Sequence, residues 1–197
     1  RFKEEPAFDF IQAARDEGAN IIQDFHESMT VRGGKLYAVL SDVCAFANTN
    51  GGTLYIGLPD DAHKPVVGVQ DAETSVLQLE KEINNRISPP INCSIDIHEY
   101  KGKKLVRILI PRGEEAPYAV DDNKIYVRDE AETGLAVRDE IVNLVLRGKD
   151  STQALPVSQP VQMEPSQPVE QASTQAAFAN AREGNLDPRT GVEVFPP

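Results

Sequence analysis

The sequence predicts an α+β domain with a mixed, largely antiparallel sheet that is packed with helices on one side, followed by a disordered tail. Three observations predict it. Residues 35–48 repeat apolar side chains at the helical period, and residues 91–100 alternate apolar and polar side chains as a half-buried strand does. After Gly148 the composition changes to Pro, Gln and Ser. The one-face alternation of the later strands indicates that helices cover one side of the sheet.

The first part of the chain predicts a helix and then a strand. Residues 5–18 place apolar side chains about three positions apart and end at Gly18, which is a helix stop. Residues 20–26 alternate, so that Asp24 and His26 share one face. This alternation predicts a strand.

The next stretch predicts a helix, a sharp turn and a buried strand. The helix covers residues 35–48, and Asn-Gly-Gly at 50–52 ends it because glycine accepts the left-handed backbone that closes a helix. Residues 53–58 follow as a strand. Residues 66–69 are expected to return as its hairpin partner.

The rest of the domain predicts two further helices around a hairpin. Asp71 is expected to cap a helix at 73–87, and the prolines that follow Ser88 end it. The remaining predicted elements are strands at 91–100, 104–111 and 124–129 and a helix at 135–146.

Composition also sets the domain boundaries. We assign residues 1–148 to the α+β domain, 149–183 to a flexible Pro/Gln/Ser-rich linker and 184–197 to the start of a truncated following segment. The linker has too few large apolar residues to offset the entropy of ordering.

Charge and cysteine content limit the classes of function. The chain has 20 Lys+Arg and 31 Asp+Glu, a formal net charge of −11, whereas a simple nucleic-acid binder shows a basic face. Binding to a polyanion then depends on local Lys/Arg clusters. No apolar run approaches the ~20 residues of a membrane span, so no membrane partner is expected. Cys44 and Cys93 are too few for a disulfide scaffold or a zinc site, and as reduced core thiols they indicate a cytoplasmic protein.

The most informative segment is the polar turn within residues 44–57, CAFANTNGGTLYIG, and we call Asn50, Gly51 and Gly52 the glycine corner. Together with NRISPPI at 85–91 and KIYVRDEAETGLA at 124–136, this segment resembles the Schlafen AlbA-like domain family. The resemblance covers roughly residues 20–147. It implies a nucleic-acid-binding module, often found at the start of bacterial regulators or helicase-related proteins.

Some members of the Schlafen branch are ribonucleases, and the resemblance carries their catalytic residues onto Asp24 and onto Asp60 or Asp61. An earlier glutamate of that site has no counterpart here, because Ala19 stands at its position. Clustered carboxylates hold divalent metal that stabilises phosphoryl charge, so Mg²⁺ or Mn²⁺ is implied only if this nuclease interpretation holds. Otherwise no metal or cofactor is expected. The same aspartates also fit a solvated strand face and an ordinary turn.

Basic side chains supply the other candidate contacts. Three lysines crowd the predicted hairpin tip, where lysine also protects a sheet edge from aggregation. We expect them to converge with Arg128 beside the glycine corner. The predicted nucleic-acid-binding residues are Arg32, Lys35, Asn48, Asn50, Gly51, Gly52, Lys101, Lys103, Lys104 and Arg128.

Three functions stay open at this point. The first is a non-catalytic DNA- or RNA-binding module, for example the DNA-binding part of a transcriptional regulator. The second is a metal-dependent endoribonuclease of Schlafen type. The third is a protein-interaction or homo-oligomeric assembly module, which the acidic total and the Pro/Gln-rich tail favour. Lysines and arginines that are scattered over the surface and neutralised by neighbouring acids would favour this third function.

Overall fold

The computed structural model describes residues 7–153, and within this range the chain forms four α-helices and eight strands. A short 3₁₀ turn, Arg32–Gly34, leads into the second helix. The helices are α1 (Phe10–Glu17), α2 (Lys35–Asn48), α3 (Ala72–Arg86) and α4 (Arg138–Gln153). The strands are β1 (Gln23–His26), β2 (Gly52–Ile56), β3 (Ile87–Ser88), β4 (Ser94–Tyr100), β5 (Lys103–Ile110), β6 (Ala119–Val120), β7 (Tyr126–Asp129) and β8 (Glu132–Leu135).

Four strands form the main sheet in the order β1-β2-β5-β4. β1 runs parallel to β2, since α2 carries the chain back between them, and the other two pairings are antiparallel. Two small antiparallel pairs, β3 with β6 and β7 with β8, complete the strands of the described range. The predicted mixed, largely antiparallel sheet is therefore confirmed.

The main core lies between α2, α3 and one face of the sheet. Val39, Leu40 and Phe46 of α2 are fully buried in the same cluster as Leu54 and Ile108. Truncating a buried leucine or phenylalanine of this kind to alanine costs about 2–5 kcal/mol. The apolar side chains that repeat at the helical period and predicted α2 are therefore the ones that pack on the sheet.

The opposite face of the sheet is covered only in part. Tyr55 points to the other side from its neighbours on β2, and it stacks on Phe25 with ring centroids 5.4 Å apart. Ile11 and Ala14 of α1 pack on these rings. α2 and α3 thus cover one side as expected, and α1 adds a second, smaller core on the other.

Two local predictions were wrong. Residues 66–69 form no strand; Gly68 N–H and Val69 N–H instead donate to the carbonyls of Gly57 and Lys104, at 2.8 Å each. The last helix begins at Arg138 rather than at 135, because a turn with positive φ at Glu130 brings β8 back onto β7.

α4 also continues to Gln153, beyond the predicted end of the helix, and so includes the first residues of the proposed linker. The rest of that linker and the segment 184–197 lie outside the described residues. Among the residues described, no helix combines the length and the apolar character that a membrane crossing requires.

Candidate functional site

Arg128 of β7 lies at the centre of a buried ionic cluster, which we call the Arg128 cluster: Arg128, Asp24, Asp42 and His26. Arg128 Nη1 is 2.8 Å from Asp24 Oδ2 and 3.8 Å from Asp42 Oδ1. His26 Nε2 lies 2.6 Å from the other Asp42 oxygen. Arg128 is only 4% exposed. The cluster therefore joins β1, α2 and β7 through charges that are largely removed from water.

The other donors of Arg128 are also occupied. Nε and Nη2 donate to the carbonyl of Asn20 at 3.1 and 3.0 Å, and Nη1 donates to Thr133 Oγ1 at 3.1 Å. The guanidinium carbon lies 5.0 Å from the ring centroid of Phe46. Arg128 thus fixes the β7–β8 pair onto the sheet, and in this conformation it cannot reach a phosphate outside the protein.

Two of the three predicted catalytic aspartates have separate structural partners. Asp24 pairs with Arg128, and Asp61 Oδ1 accepts the His63 N–H at 2.9 Å as in an ordinary turn. Asp60 is exposed. Within residues 7–153, no three His, Cys, Asp or Glu side chains are grouped so that they could hold a metal ion. The structure therefore does not bring these aspartates together as metal ligands.

The glycine corner is closely packed by its own chain. A Cβ at Gly51, whose φ is +71°, would lie 2.7 Å from the backbone nitrogen of Arg112. A Cβ at Gly52 would lie 2.6 Å from the carbonyl oxygen of Ile22. Gly52 also pairs with Ile110 in the sheet register. Both positions need glycine so that the turn fits against the end of β5 and the start of β1.

Asn48, which the sequence suggested as a contact residue, is a buried cross-link with 2% exposure. Its Nδ2 donates to the carbonyls of Tyr118 and Tyr126 at 2.9 and 2.8 Å, and its Oδ1 accepts the Tyr118 N–H at 2.7 Å. The amide therefore ties the end of α2 to two segments that lie about 70 residues further along the chain.

An open groove of about 460 Å³ lies beside the glycine corner, on the part of the second sheet face that α1 leaves uncovered. Thr53, Leu109 and Ser94, which are aligned across β2, β5 and β4, contribute to its floor. The remaining lining residues are Ile22, Asn50, Gly51, Gly52, Asn92, Ile110 and Pro111. None of the lining side chains is ionisable.

Two arginines lie close to the glycine corner. Arg147 of α4 donates to the carbonyls of Asn48 at 2.6 Å and Gly113 at 3.1 Å, and so satisfies backbone groups around the end of α2. Burial lowers the pKa of Arg147, and the positive charge of Arg112 lowers it further. Arg112 itself is exposed and follows Pro111 at the rim of the groove.

The β4–β5 turn carries the predicted lysines, and we call Lys101, Lys103 and Lys104 the lysine tip. All three are exposed. Lys104 Nζ pairs with Glu73 Oε1 at 2.7 Å, and this hydrogen bond raises the pKa of Lys104 and lowers that of Glu73. Within the described residues, Lys101 and Lys103 have no acidic partner within 4.0 Å. Both charges are therefore available to an external anion.

The lysine tip and the glycine corner lie at opposite ends of the sheet. β5 begins at Lys103 and ends at Ile110, which pairs with Gly52. At ~3.4 Å per residue these ends are about 24 Å apart. The expected convergence of the lysines with Arg128 beside the corner is therefore not found.

A further basic patch lies around the start of α2, where Arg32 and Lys35 are exposed. Arg86 and Lys124 make cation–π contacts with the Tyr37 ring: Arg86 Cζ and Lys124 Nζ each lie 5.4 Å from the ring centroid. Burial and the hydrogen bond between the Tyr37 and Tyr126 hydroxyls raise the pKa of Tyr37 to about 12. Arg86 is neutralised by Asp121, to which it donates two hydrogen bonds.

Sequence reasoning missed Asp42, although a signal was present. It is the single carboxylate in the otherwise apolar stretch of α2, where an acid is costly unless it is paired. The contact between Tyr37 and Tyr126 gave no such signal in the sequence, because the two residues meet only in the folded chain.

The chain is similar to a known protein family and to solved structures. The family model described as Schlafen, AlbA_2 matches residues 16–136. Among curated proteins, none matches the chain. The DIP2311 protein from Corynebacterium diphtheriae has a similar structure at 19% identity and a TM-score of 0.49; the match covers 62% of this chain and 26% of that one. The "N-terminal Domain of Putative ATP-dependent DNA Helicase RecG-related Protein" from Nitrosomonas europaea matches at 24% identity and a TM-score of 0.41, over 64% of this chain and 78% of that one.

Proposed function

Because the chain belongs to the Schlafen AlbA_2 family, we propose that it is a nucleic-acid-binding module that contacts DNA or RNA through the lysine tip. The observation that carries the proposal is the exposure of Lys101 and Lys103 at the β4–β5 turn, where no acid of residues 7–153 lies within 4.0 Å of either ammonium group. The module would serve as the DNA-binding part of a regulator in the cytoplasm, where the two free thiols of Cys44 and Cys93 stay reduced.

A local cluster can bind a polyanion even though the whole chain is acidic. Affinity for nucleic acid follows the number of phosphates that lysines and arginines neutralise with release of counterions, not the net charge of −11. The pair between Lys104 and Glu73 is exposed and contributes little stability, so Lys104 can exchange its carboxylate for a phosphate. Long-range repulsion from the acidic total weakens the binding. Its sensitivity to salt comes from the counterions that the lysine–phosphate contacts release.

The test measures binding of fluorescently labelled DNA and RNA at low and at physiological salt. Lys101→Glu/Lys103→Glu should weaken binding at least tenfold, because two phosphate contacts become repulsive. Lys81→Glu/Lys149→Glu introduces the same change of charge at exposed positions on α3 and α4 and is the matched control. Equal losses in both double variants would show that only total charge matters, and a wild-type chain that binds neither nucleic acid would refute the proposal.

The arrangement of carboxylates gives no support to the ribonuclease alternative. Asp24 has its charge engaged by Arg128, and Asp61 closes a turn. A metal-dependent nuclease of this kind needs several free carboxylates that converge on one cation. We therefore do not propose that activity.

A protein-docking role is the second candidate, and β4 favours it. β4 is one of the two outer strands of the main sheet, and among the residues that the structure describes its seven residues pair with β5 alone. Such an edge can accept a further strand from a partner. Light scattering tests it: a defined oligomer that binds no nucleic acid would favour docking over the first proposal.

A further inference from the structure

We propose that the groove beside the glycine corner binds an unpaired nucleobase of a single-stranded nucleic acid. The inference rests on the proposed function and adds to it which part of the polynucleotide the chain recognises.

The charge character of the groove selects a neutral ligand. No lining side chain is ionisable, although the chain as a whole carries a net charge of −11. Ile22 and Leu109 are 50% and 37% exposed there, which leaves apolar surface open to water. A planar, uncharged base would cover this surface, whereas a phosphate would find no cation inside the groove and a basic peptide would find no acid.

The polar groups of the groove suit the edge of a base. Asn50 and Asn92 each offer an amide donor and an amide acceptor, and Thr53 and Ser94 add hydroxyls that do both. Base edges present donors and acceptors side by side, and asparagine is a common partner for them. The volume of about 460 Å³ lies within the ~300–1,000 Å³ of small-molecule sites.

Gly51 and Gly52 of the glycine corner contribute backbone to the groove. The missing Cβ atoms of Gly51 and Gly52 would point into packed protein, at Arg112 N and Ile22 O, so the part that lines the groove is main chain.

Arg112 is the cation next to the groove along the chain, and we assign to it the sugar–phosphate of a bound base. It follows the lining residue Pro111 and is exposed. Within residues 7–153 no acid lies within salt-bridge distance of Arg112. Arg147, by contrast, already donates hydrogen bonds to backbone carbonyls. Arg112 can therefore hold the phosphate while the groove holds the base.

The experiment compares four probes: a single-stranded oligonucleotide, the same strand with abasic sites, its duplex, and a free nucleoside monophosphate as competitor. The wild-type chain should bind the single strand about fivefold to tenfold more tightly than the abasic strand. Leu109→Gln and Asn92→Ala should each abolish most of that preference while duplex binding stays unchanged. Leu77→Gln on α3, where the leucine is 67% exposed, is the control for loss of a surface leucine.

Asn92 is exposed and precedes β4, so its alanine variant should fold even if Leu109→Gln does not. Equal affinity for the single-stranded and abasic probes would overturn the base site. The proposed function would still stand if Lys101→Glu/Lys103→Glu lost binding to both probes. Failure of the wild-type chain to bind any polynucleotide would overturn both. Competition by the free monophosphate at an affinity similar to that of the strand would assign the groove to free nucleotides instead.

Discussion

The guanidinium of Arg128 lies 2.8 Å from the carboxylate of Asp24, although the two residues are more than a hundred positions apart in the chain. The sequence suggested Arg128 as a nucleic-acid contact, and the family resemblance suggested Asp24 as a catalytic carboxylate. The structure joins them to each other, and Asp42 lies on the same guanidinium. Their charges therefore stabilise the packing of β7 on β1 and α2.

Arg128→Met should destabilise the fold by about 3–5 kcal/mol, because it leaves the half-buried Asp24 carboxylate without its cation and leaves His26 as the partner of Asp42. Denaturant unfolding measures the loss. Arg138→Met is the control, since its pair with Asp139 is exposed and should contribute less than about 1 kcal/mol. Weaker nucleic-acid binding with unchanged stability in Arg128→Met would contradict this role.

Gly52→Ala should destabilise the fold by about 1–3 kcal/mol, because the new methyl group would meet the Ile22 carbonyl at 2.6 Å and the Phe46 ring at 2.8 Å. Thermal unfolding measures the loss as a fall in melting temperature. A Cβ at Gly134 on β8 would meet nothing within 4 Å, so Gly134→Ala should change stability little. Equal melting temperatures for the two variants would show that the glycine corner is not packed as described.

Asn48→Ala should lower stability by about 2–4 kcal/mol, since it leaves the Tyr118 N–H and two carbonyls without their buried partner. Asn50→Ala, two residues away and exposed, should leave the free energy of unfolding within about 0.5 kcal/mol of the wild type. A stable Asn48→Ala chain would mean that water replaces the amide and that Asn48 is not the cross-link.

The pair of Arg107 and Asp96 predicts a pH dependence. Burial alone would raise the pKa of Asp96, but the two hydrogen bonds from Arg107, with His98 Nε2 3.2 Å away, hold it below its ordinary range. A lowered pKa in the folded state adds stability above the unfolded pKa of about 4, and this is lost as pH falls through the folded value. The stability gap between wild type and Arg107→Gln should therefore be largest near neutral pH and shrink below about pH 4. Urea unfolding across this range measures it; a gap that does not change with pH would contradict the prediction.

The elements with a strong local signal were predictable. α2 begins and ends where the helical period and the glycines placed it, and Asp71 caps α3 by accepting the Thr74 N–H. The β4–β5 hairpin also follows the predicted alternation. β8 was missed because its turn uses a positive φ at Glu130, a residue type that gives no turn signal.

The candidate site was less predictable, because its contacts join distant parts of the chain. Spacing along the sequence does not show that Asp24 and Asp42 meet Arg128, or that Asn48 is used up by Tyr118 and Tyr126. The lysine tip was identifiable from local composition, but its distance from the glycine corner depends on the strand register. Local sequence patterns therefore identified candidate residues, whereas their roles depend on which side chains meet in the folded chain.

The salt dependence of nucleic-acid binding tests the central claim most directly. Each lysine of the tip that contacts a phosphate of duplex DNA contributes about −0.9 to the slope of log K against log salt, and about −0.7 on a single strand. The wild-type slope should be about −2 to −3, and Lys101→Glu/Lys103→Glu should reduce its magnitude by about 2. A slope that is the same in the wild type and in this double variant would contradict binding through the lysine tip.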